Sequence, residues 1–198
     1  KILTPKYIKY KFRDFNEKKI IQEVQKKLKF PVVIKPINEG SSVSVYICKK
    51  NNFFSNLKKL RHYDEILIEK FIPGREIQVA ILGNEKLGVI ELKPKRKFYD
   101  YEAKYNPKAK TEHIIPVNIS KKNYDKVTSI ALKAHKLLKC RGVTRSDFRF
   151  DGKKFYLLET NTQPGMTALS LVPEIARYRD ISFAKLIDKI LLDASINK

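Results

Sequence analysis

The sequence predicts an α+β protein of two lobes, whose antiparallel sheets enclose a cleft. Apolar strands and amphipathic helices follow one another in no regular βαβ order, and turns that contain glycine join two pairs of strands directly. One apolar strand ends at the turn Pro73-Gly74, which marks the boundary between the lobes. We therefore expect a smaller lobe over residues 1–75 and a larger lobe over residues 76–198, with a ligand between them.

The smaller lobe is predicted to contain two helices and three strands. Apolar residues spaced as on one helix face predict a helix over 15–28, and the stretch FPVVIKP, residues 30–36, predicts a strand that ends at a proline. A loop of small residues, 38–42, precedes an alternating strand. A helix over 53–61 and the buried strand EILIEKFI, residues 65–72, follow. The predicted order is helix, strand, strand, helix, strand.

The larger lobe begins with a predicted hairpin over 75–92, REIQVAILGNEKLGVIEL. Gly83 and Asn84 separate two apolar runs of strand length, as the turn of a hairpin does. A polar and aromatic loop over 93–117 comes next, and loops of this length in compact domains often act as lids.

The rest of the larger lobe is predicted to be a helix, a second hairpin and two short helices. Ser120 is the expected N-cap of the first helix, whose apolar stripe runs over 127–138. The hairpin RSDFRFDGKKFYLLETN covers 145–161. Two short helices over 169–178 and 182–194 complete the chain.

Composition limits the class of protein. With 198 residues, 42% of them hydrophobic, the chain is long enough to bury a sizeable core. No apolar run reaches the roughly 20 residues needed to cross a bilayer, so we expect a soluble, cytoplasmic protein without a membrane partner. Cys48 and Cys140 lack the spacing of a metal site and are expected to be free thiols in a reducing compartment.

The formal net charge of +21 raises the question of a nucleic-acid partner, because neutralising phosphates needs Lys and Arg. The excess is mostly Lys, scattered as pairs over predicted polar helix faces rather than gathered into an Arg-rich arm. We therefore expect solvated lysines and no nucleic-acid partner.

The second hairpin carries the strongest candidate for chemistry. Asp147, Glu159 and Asn161 place oxygen ligands at the ends of apolar strands. Oxygen ligands without His or Cys suit Mg²⁺, which favours a few carboxylates together with phosphate and water. The alternative is that the two carboxylates only form exposed ion pairs with Arg145, Arg149 and nearby lysines, each worth less than about 1 kcal/mol.

The turn of this hairpin decides whether the oxygen ligands share a face, because alternate residues of a strand point to opposite sides. A two-residue turn sends Asp147 and Glu159 to opposite faces. A three-residue, bulged turn with Gly152 in a left-handed conformation instead pairs Asp147 with Leu157. The same turn pairs Arg145 with Glu159, and we expect it because only this register builds a site.

Three other stretches can take part in the same chemistry, and each also has an ordinary structural interpretation. EGSSVS, residues 39–44, can cradle a phosphate with backbone N–H groups or form a plain turn, and Lys35 before it can face an anion or solvent. IEKFIPGRE, residues 68–76, can hold a flat base and a ribose or be a charged turn. FYDYEAKY, residues 98–105, suits a lid over phosphates or a surface loop.

Together these residues resemble the ATP-grasp ligases and, within them, the D-alanine:D-alanine ligases. The matching stretches, in the order of the family and over nearly the whole chain, are VVIKPINEGSSVSV, LIEKFIPGREIQVAIL, FYDYEAKY, GVTRSDFRF and YLLETNTQPGMTALSLVPE. FYDYEAKY and NTQPGMT with the later SLVP are specific to this ligase family, whereas an Asp with a later Glu-x-Asn is common to the superfamily. The resemblance implies an ATP-grasp fold.

The resemblance also implies a reaction. One D-alanine carboxylate takes the γ-phosphoryl group of ATP, and the amine of a second D-alanine displaces phosphate from the acyl phosphate, which yields a precursor of peptidoglycan. The implied cofactors are ATP and two Mg²⁺ ions, or Mn²⁺, and the whole enzyme is expected to be a homodimer. The alternative is a protein that binds Mg-ATP without catalysis or joins another acid and amine.

The resemblance assigns four roles to residues of this sequence. The implied metal ligands are Asp147, Glu159 and Asn161. The implied ATP-binding residues are Lys35, Ser42, Glu69, Lys70, Ile72, Glu76 and Lys104, with Glu76 on the ribose. The implied catalytic residues are Ser41, Tyr105, Arg145 and Gly165, the last two stabilising a tetrahedral oxyanion. The implied ligands of the second D-alanine carboxylate are Ser170 and Leu171.

The sequence departs from the family pattern in three ways. The connection between Asp147 and Glu159 is short, which makes the bulged register a requirement. Ser44 stands where the phosphate loop of the family usually has Gly, so we expect a stiffer loop. The chain begins where the central domain of the family is already under way, so the N-terminal domain of the family is expected to be missing.

Overall fold

The protein is described by a computed structural model that covers residues 1–14, 16–93, 111–167 and 170–194. The fold is α+β, as predicted, with one four-stranded and one five-stranded antiparallel sheet. The smaller compact unit is formed by Pro5–Ile72. The larger unit combines Lys1–Thr4, Pro73–Lys93 and the described residues from Glu112 onward. The lobes predicted over 1–75 and 76–198 stay a prediction.

The smaller unit is a four-stranded sheet in the order β1-β4-β2-β3 with two helices. Its elements are β1 Tyr7–Lys11, α1 Glu17–Lys27, β2 Val32–Pro36, β3 Tyr46–Cys48, α2 Phe53–Lys59 and β4 Glu65–Lys70. Short 3-10 turns cover Phe12–Asp14 and Lys50–Asn52. The predicted helices and strands of this region are confirmed to within a few residues, whereas β1 was not predicted.

Helix α1 forms where the sequence predicts it because its local signals agree. The side chain of Asn16 caps the first turn by accepting a hydrogen bond from the backbone N–H of Lys19 at 2.9 Å. Ile20 and Val24, one helical turn apart, are both buried. They pack in one core with the inner residues of β2 and β4 and with Phe53 of α2. The spacing of the apolar residues therefore determines which face of the helix meets the sheet.

The larger unit is a five-stranded sheet in the order β7-β6-β5-β8-β9 with three helices. Its elements are β5 Arg75–Leu82, β6 Glu85–Lys93, β7 Glu112–Ile114, α3 Lys121–Leu137, β8 Val143–Phe150, β9 Phe155–Asn161, α4 Leu171–Tyr178 and α5 Phe183–Asp193. Among the described helices, none is both long and apolar enough to cross a membrane. Strand β7 lies inside the region predicted to be a loop over 93–117, so that part of the prediction is wrong.

The two faces of the larger sheet differ in chemistry. One face carries Ile77 and Val79 of β5 and Phe148 of β8, and these pack with Val127 and Ala131 of α3 into a buried core. Because side chains alternate along a strand, the residues between them point to the opposite face. That face carries the polar residues of β5 and β8 on which the candidate site is built.

His135 lies in the last turn of α3, where its ring contacts strand β8. The side chain is buried, and its Nδ1 is hydrogen-bonded to Thr144 Oγ1 at 2.9 Å. Burial lowers the pKa of His135, while Asp193 opposes the shift and Lys136 adds to it. The folded-state pKa therefore lies below the roughly 6.5 of an unfolded chain.

We predict that the free energy of unfolding falls as the pH drops below about 6.5. There the unfolded chain binds a proton that folded His135 resists, and one such group contributes at most about 1.4 kcal/mol per pH unit. Urea unfolding at pH 7.5 and pH 5.5 measures the decrease in the free energy of unfolding, and this decrease should be smaller in His135→Gln. An unchanged pH dependence in the variant would contradict a role for this histidine.

Candidate functional site

A bulge in the hairpin of β8 and β9 determines which residues share a face. The turn has four residues, Asp151–Lys154, and the strands then pair in regular register from Phe150 and Phe155 to Phe148 and Leu157. At the next step the register shifts, so that Asp147 lies opposite Glu159. Leu158 is the extra residue on β9, and a regular ladder would have placed it opposite Asp147 instead.

The bulge brings the predicted oxygen ligands onto one face. Arg145 lies opposite Asn161, two residues from the pair of Asp147 and Glu159. Since directly opposed residues of antiparallel strands point to the same side, these four side chains share a surface. Without the bulge, Glu159 would point to the face covered by α3. The predicted three-residue turn is therefore wrong, although Gly152 does have a positive φ of 93°.

The predicted strand partners are also wrong. Asp147 pairs with Glu159 rather than with Leu157, and Arg145 pairs with Asn161 rather than with Glu159. Leu157 packs against the apolar core instead of sharing the face of Glu159. The physical reason is that the extra residue lies within β9 and not in the turn. Asp147 and Glu159 therefore share a face, as expected, but through a different strand register.

Asp147 and Arg145 form a two-point ion pair. Arg145 Nε donates to Asp147 Oδ1 at 2.8 Å and Nη2 donates to Oδ2 at 3.0 Å. Asp147 is only 5% exposed, so this contact is shielded from solvent in a way that a surface ion pair is not. At the end of β9, Asn161 Oδ1 accepts a hydrogen bond from the backbone N–H of Gln163 at 3.1 Å, which orients the amide.

The donor set on this face fits a hard divalent cation. It offers two carboxylates and one amide oxygen, which are the ligands that Mg²⁺ takes together with phosphate oxygens and water. In the described part of the chain, His, Cys, Asp and Glu side chains nowhere gather in groups of three or more that could hold a metal. A cation here would therefore depend on a phosphate or water for much of its coordination, as Mg²⁺ usually does.

Glu76 lies on the same face, one strand away. Strand β5 pairs with β8 so that Glu76 lies opposite Arg149 and Gln78 lies opposite Asp147. Arg149 Nη1 contacts Glu76 Oε2 at 3.3 Å, and Arg149 Nη2 donates to the carbonyl of Gly74 at 2.5 Å. Arg149 therefore holds the carboxylate of Glu76 at the beginning of β5.

Ser170, the N-cap of α4, lies close to residues 165–167. Ser170 Oγ accepts a hydrogen bond from the backbone N–H of Thr167 at 2.9 Å. A Cβ atom on residue 165 would lie 2.9 Å from Ser170 Oγ, so this close approach favours glycine. Leu171 is buried at the first position of α4. Gly165 therefore lies next to Ser170, and the roles that the resemblance assigns to these two residues stay predictions.

In the smaller unit, three predicted residues lie on neighbouring strands. Lys35 Nζ on β2 forms an ion pair with Glu69 Oε2 on β4 at 2.8 Å. Lys70 Nζ donates to the backbone carbonyl of Lys29 at 3.2 Å, and Ile72 follows the end of β4. The ammonium group of Lys35 is therefore paired with a carboxylate and does not extend alone into solvent.

The serine loop of the smaller unit has an unusual backbone. Ser41, Ser42 and Ser44 have φ values of 52°, 61° and 57°, in the left-handed region that side chains with a Cβ disfavour. Tyr63 Oη donates to Glu39 Oε1 at 3.1 Å and approaches Ser44 Oγ at 3.4 Å. This stretch, for which the sequence allows a phosphate cradle or a plain turn, thus has a strained backbone at three serines and is contacted by Tyr63.

The strain at position 44 leads to a prediction. We expect Ser44→Gly to be more stable than Ser44→Ala by roughly 1 kcal/mol, because both variants lose the contact with Tyr63 and only glycine relieves a left-handed conformation. At an unstrained site the order would be reversed by the greater chain entropy of glycine. Urea unfolding of the two variants measures the difference, and a more stable alanine variant would contradict the strain.

Some functional candidates fall outside what the structure describes or outside what the sequence indicated. Lys104 and Tyr105 lie outside the described residues, so their roles stay predictions.

Gln78 was not singled out from the sequence, although it is the one amide in the apolar run IQVAIL and lies opposite Asp147. A polar residue inside a buried strand was the signal that could have identified it.

The fold is that of the ATP-grasp ligases, as solved structures show. The crystal structure of the D-alanine–D-alanine ligase from Bacillus anthracis matches with a TM-score of 0.83 at 34% sequence identity, and covers 97% of this chain and 62% of that chain. A structure of the ligase from the same organism complexed with ATP matches with a TM-score of 0.78 at 28% identity, covering 97% and 60% of the two chains.

Sequence relatives define the family more narrowly. The family model described as "D-ala D-ala ligase C-terminus" matches residues 2–192. The D-alanine–D-alanine ligase of Pelagibacter ubique is 67% identical over 198 residues, which are 100% of this chain and 65% of the relative. The chain belongs to the D-alanine–D-alanine ligase family, as the sequence motifs predicted. It spans 65% of the length of that relative and 53% of the length of the D-alanine–D-alanine ligase of Paramagnetospirillum magneticum, so it covers less than two thirds of both.

Proposed function

We propose that this chain binds ATP and Mg²⁺ as part of a ligase that joins two D-alanines into D-alanyl-D-alanine for peptidoglycan precursor synthesis. The observation that carries this proposal is the bulged register that places Asp147, Glu159 and Asn161 on one face beside Arg145. The relative from Bacillus anthracis that was crystallised with ATP supports the choice of nucleotide. A cytoplasmic location and a homodimeric whole enzyme follow from the family resemblance.

The oxygen ligands would hold the metal. Asp147 and Glu159 supply negative charge and Asn161 supplies a neutral oxygen, which leaves coordination positions for phosphate oxygens and water. A cation held by these residues, Mg²⁺ or Mn²⁺, would supply positive charge to balance that of the phosphates. Arg145 already bonds both oxygens of Asp147, so it balances the charge of the site before any cation arrives.

Other groups would bind the nucleotide. Glu76, held by Arg149, offers a carboxylate that can accept hydrogen bonds from ribose hydroxyls. For the smaller unit, the family resemblance assigns Lys35 and Ser42 to phosphate and Glu69, Lys70 and Ile72 to adenine. Lys104 is assigned to the transferred phosphate by resemblance alone.

The amino-acid substrates would be bound around the turn before α4. The N–H groups at the start of a helix favour an anion, and Ser170 and Leu171 lie at that end of α4, where the carboxylate of the second D-alanine would sit. The guanidinium of Arg145 and the backbone N–H of Gly165 would stabilise the oxyanion that forms when the amine attacks the acyl phosphate. Ser41 and Tyr105 are assigned to the first D-alanine.

Two measurements test the proposal. Calorimetric titration with Mg²⁺ and a non-hydrolysable ATP analogue should show binding, and ATP with Mg²⁺ should release phosphate only when D-alanine is added. L-alanine is the matched control substrate. Failure to bind the nucleotide would overturn the proposal. Binding without release that depends on D-alanine would instead favour a protein that binds Mg-ATP or a ligase of another acid and amine.

A further inference from the structure

Gln78, in the middle of β5, has an unsatisfied buried acceptor. Its side chain is 1% exposed, and its Oε1 has no hydrogen-bond partner within the described part of the chain. An unsatisfied polar atom in this position costs roughly 1–3 kcal/mol relative to an apolar side chain of the same shape. A purely structural role would be better served by methionine or leucine, so the carboxamide needs another explanation.

The strand register places this acceptor in the candidate site. Gln78 lies opposite Asp147 of β8 and opposite Ile90 of β6, and it is two residues from Glu76 on its own strand. Directly opposed residues have Cβ atoms about 5 Å apart, and a separation of two residues along a strand is about 7 Å. Gln78 therefore lies beside the proposed metal ligand and between it and the proposed ribose ligand.

The chemistry of the acceptor restricts what it can bind. The guanidinium donors on the same face already have carboxylate partners, since Arg145 bonds Asp147 and Arg149 contacts Glu76. A phosphate oxygen cannot satisfy Gln78 Oε1, because ionised phosphate offers only acceptors. Water bound to a divalent cation is a strong donor, and Mg²⁺ usually keeps several such waters.

We infer that Gln78 is a positioning residue for the metal, whose side-chain carbonyl accepts a hydrogen bond from a water on the cation held by Asp147. This inference rests on the proposed function and adds to it a residue that touches the coordinated water rather than the ion. Partners of this kind orient a metal site and typically change its affinity by 10- to 100-fold when they are removed.

The first readout is the stability of the ligand-free chain. Gln78→Met removes the orphaned acceptor and keeps the volume, so the melting temperature without ligand should rise by about 2–6 °C. Ser146→Ala is the matched control, because Ser146 is a buried polar residue next to Asp147 whose hydroxyl is bonded to Thr160 Oγ1 at 3.0 Å on the other face. That control should lower the melting temperature and leave nucleotide affinity unchanged.

The second readout is the affinity for nucleotide with and without metal. Gln78→Met should bind the Mg²⁺ complex of a non-hydrolysable ATP analogue at least tenfold more weakly than the unsubstituted chain. Its affinity for the metal-free analogue in EDTA should stay within a factor of two. Gln78→Glu keeps an acceptor at the same place, so it should retain Mg²⁺-dependent binding to within about threefold while the buried carboxylate lowers the melting temperature.

The outcomes separate this inference from the proposed function. If the unsubstituted chain does not bind Mg-nucleotide, the proposed function fails. If that chain binds and Gln78→Met binds equally well, the inference alone fails. Equal weakening with and without metal would also overturn it, because Gln78 would then contact the nucleotide itself. A lower melting temperature of ligand-free Gln78→Met would contradict the unsatisfied acceptor.

Discussion

Asp147→Asn is expected to lower the affinity for Mg-nucleotide by at least a hundredfold and to destabilise the fold at the same time. The substitution removes a metal ligand, and even residues that only support such ligands cost 10- to 100-fold. It also leaves the guanidinium of Arg145 without the carboxylate that both of its donors contact. Breaking a shielded ion pair from one side costs roughly 3 kcal/mol.

Calorimetric titration and urea unfolding measure the two effects of Asp147→Asn separately. Asp125→Asn, on the exposed surface of α3, is the matched control and should change neither quantity appreciably. If Asp147→Asn bound Mg-nucleotide like the unsubstituted chain, the metal assignment would be wrong. If binding were lost without loss of stability, the ion pair with Arg145 would contribute little to the fold.

Asp147 should matter more than Glu159, although both are proposed ligands. Asp147 is buried in the middle of β8 with neighbours on both sides in the sheet, whereas Glu159 is exposed on the edge strand β9. The buried carboxylate has few alternative conformations, so a cation gains a preorganised ligand there. An exposed side chain loses more rotamer entropy when it is fixed, which reduces its contribution.

The register of the second hairpin shows why part of the site could not be predicted from sequence. The identity of Asp147, Glu159 and Asn161 as a set was visible in the motifs, and so was the strand alternation. The bulge at Leu158 could not be predicted, because it arises from the pairing of the two strands and no residue type in YLLETN requires it. The correct face was therefore predicted together with incorrect partners.

Strands β1 and β7 were missed for a related reason. Both lie at the edge of a sheet and are short, and neither contains a continuous apolar run that could be recognised. The buried strands β5 and β8 and the capped helices α1 and α3 were found because their apolar spacing and caps agree with their burial. Local signals thus predicted the core of each unit, whereas pairing at the edges depends on tertiary contacts.

The face of the larger sheet that packs on α3 contains one charged pair that should dominate its stability. Glu91 of β6 is buried, and its carboxylate accepts hydrogen bonds from Arg75 Nε at 2.7 Å and Nη2 at 2.5 Å. Arg75 also donates to the backbone carbonyl of Asn118 at 2.9 Å. The hydrogen bonds to Glu91 raise the pKa of Arg75. The pair therefore connects β5, β6 and the segment that leads into α3.

Glu91→Ala is expected to lower the free energy of unfolding by about 3 kcal/mol. This value is at the lower end of the range for breaking a buried ion pair, because the side chain of Arg75 is 33% exposed and recovers part of its hydration. Replacing both partners, as in Arg75→Met with Glu91→Leu, should cost less than Glu91→Ala alone, since no charge is then left unpaired. Urea unfolding of the single and double variants measures the coupling.

Affinity for Mg-nucleotide should be unaffected in these variants, because Glu91 lies opposite Ile77 and so points away from Asp147, to the face that packs on α3. In that case one face of the sheet would contribute to the stability of the fold and the other face would bind the ligand. A double variant as unstable as the sum of its single substitutions would show that the two side chains act independently. If Glu91→Ala were fully folded and still bound the nucleotide more weakly, the two faces of the five-stranded sheet would be coupled.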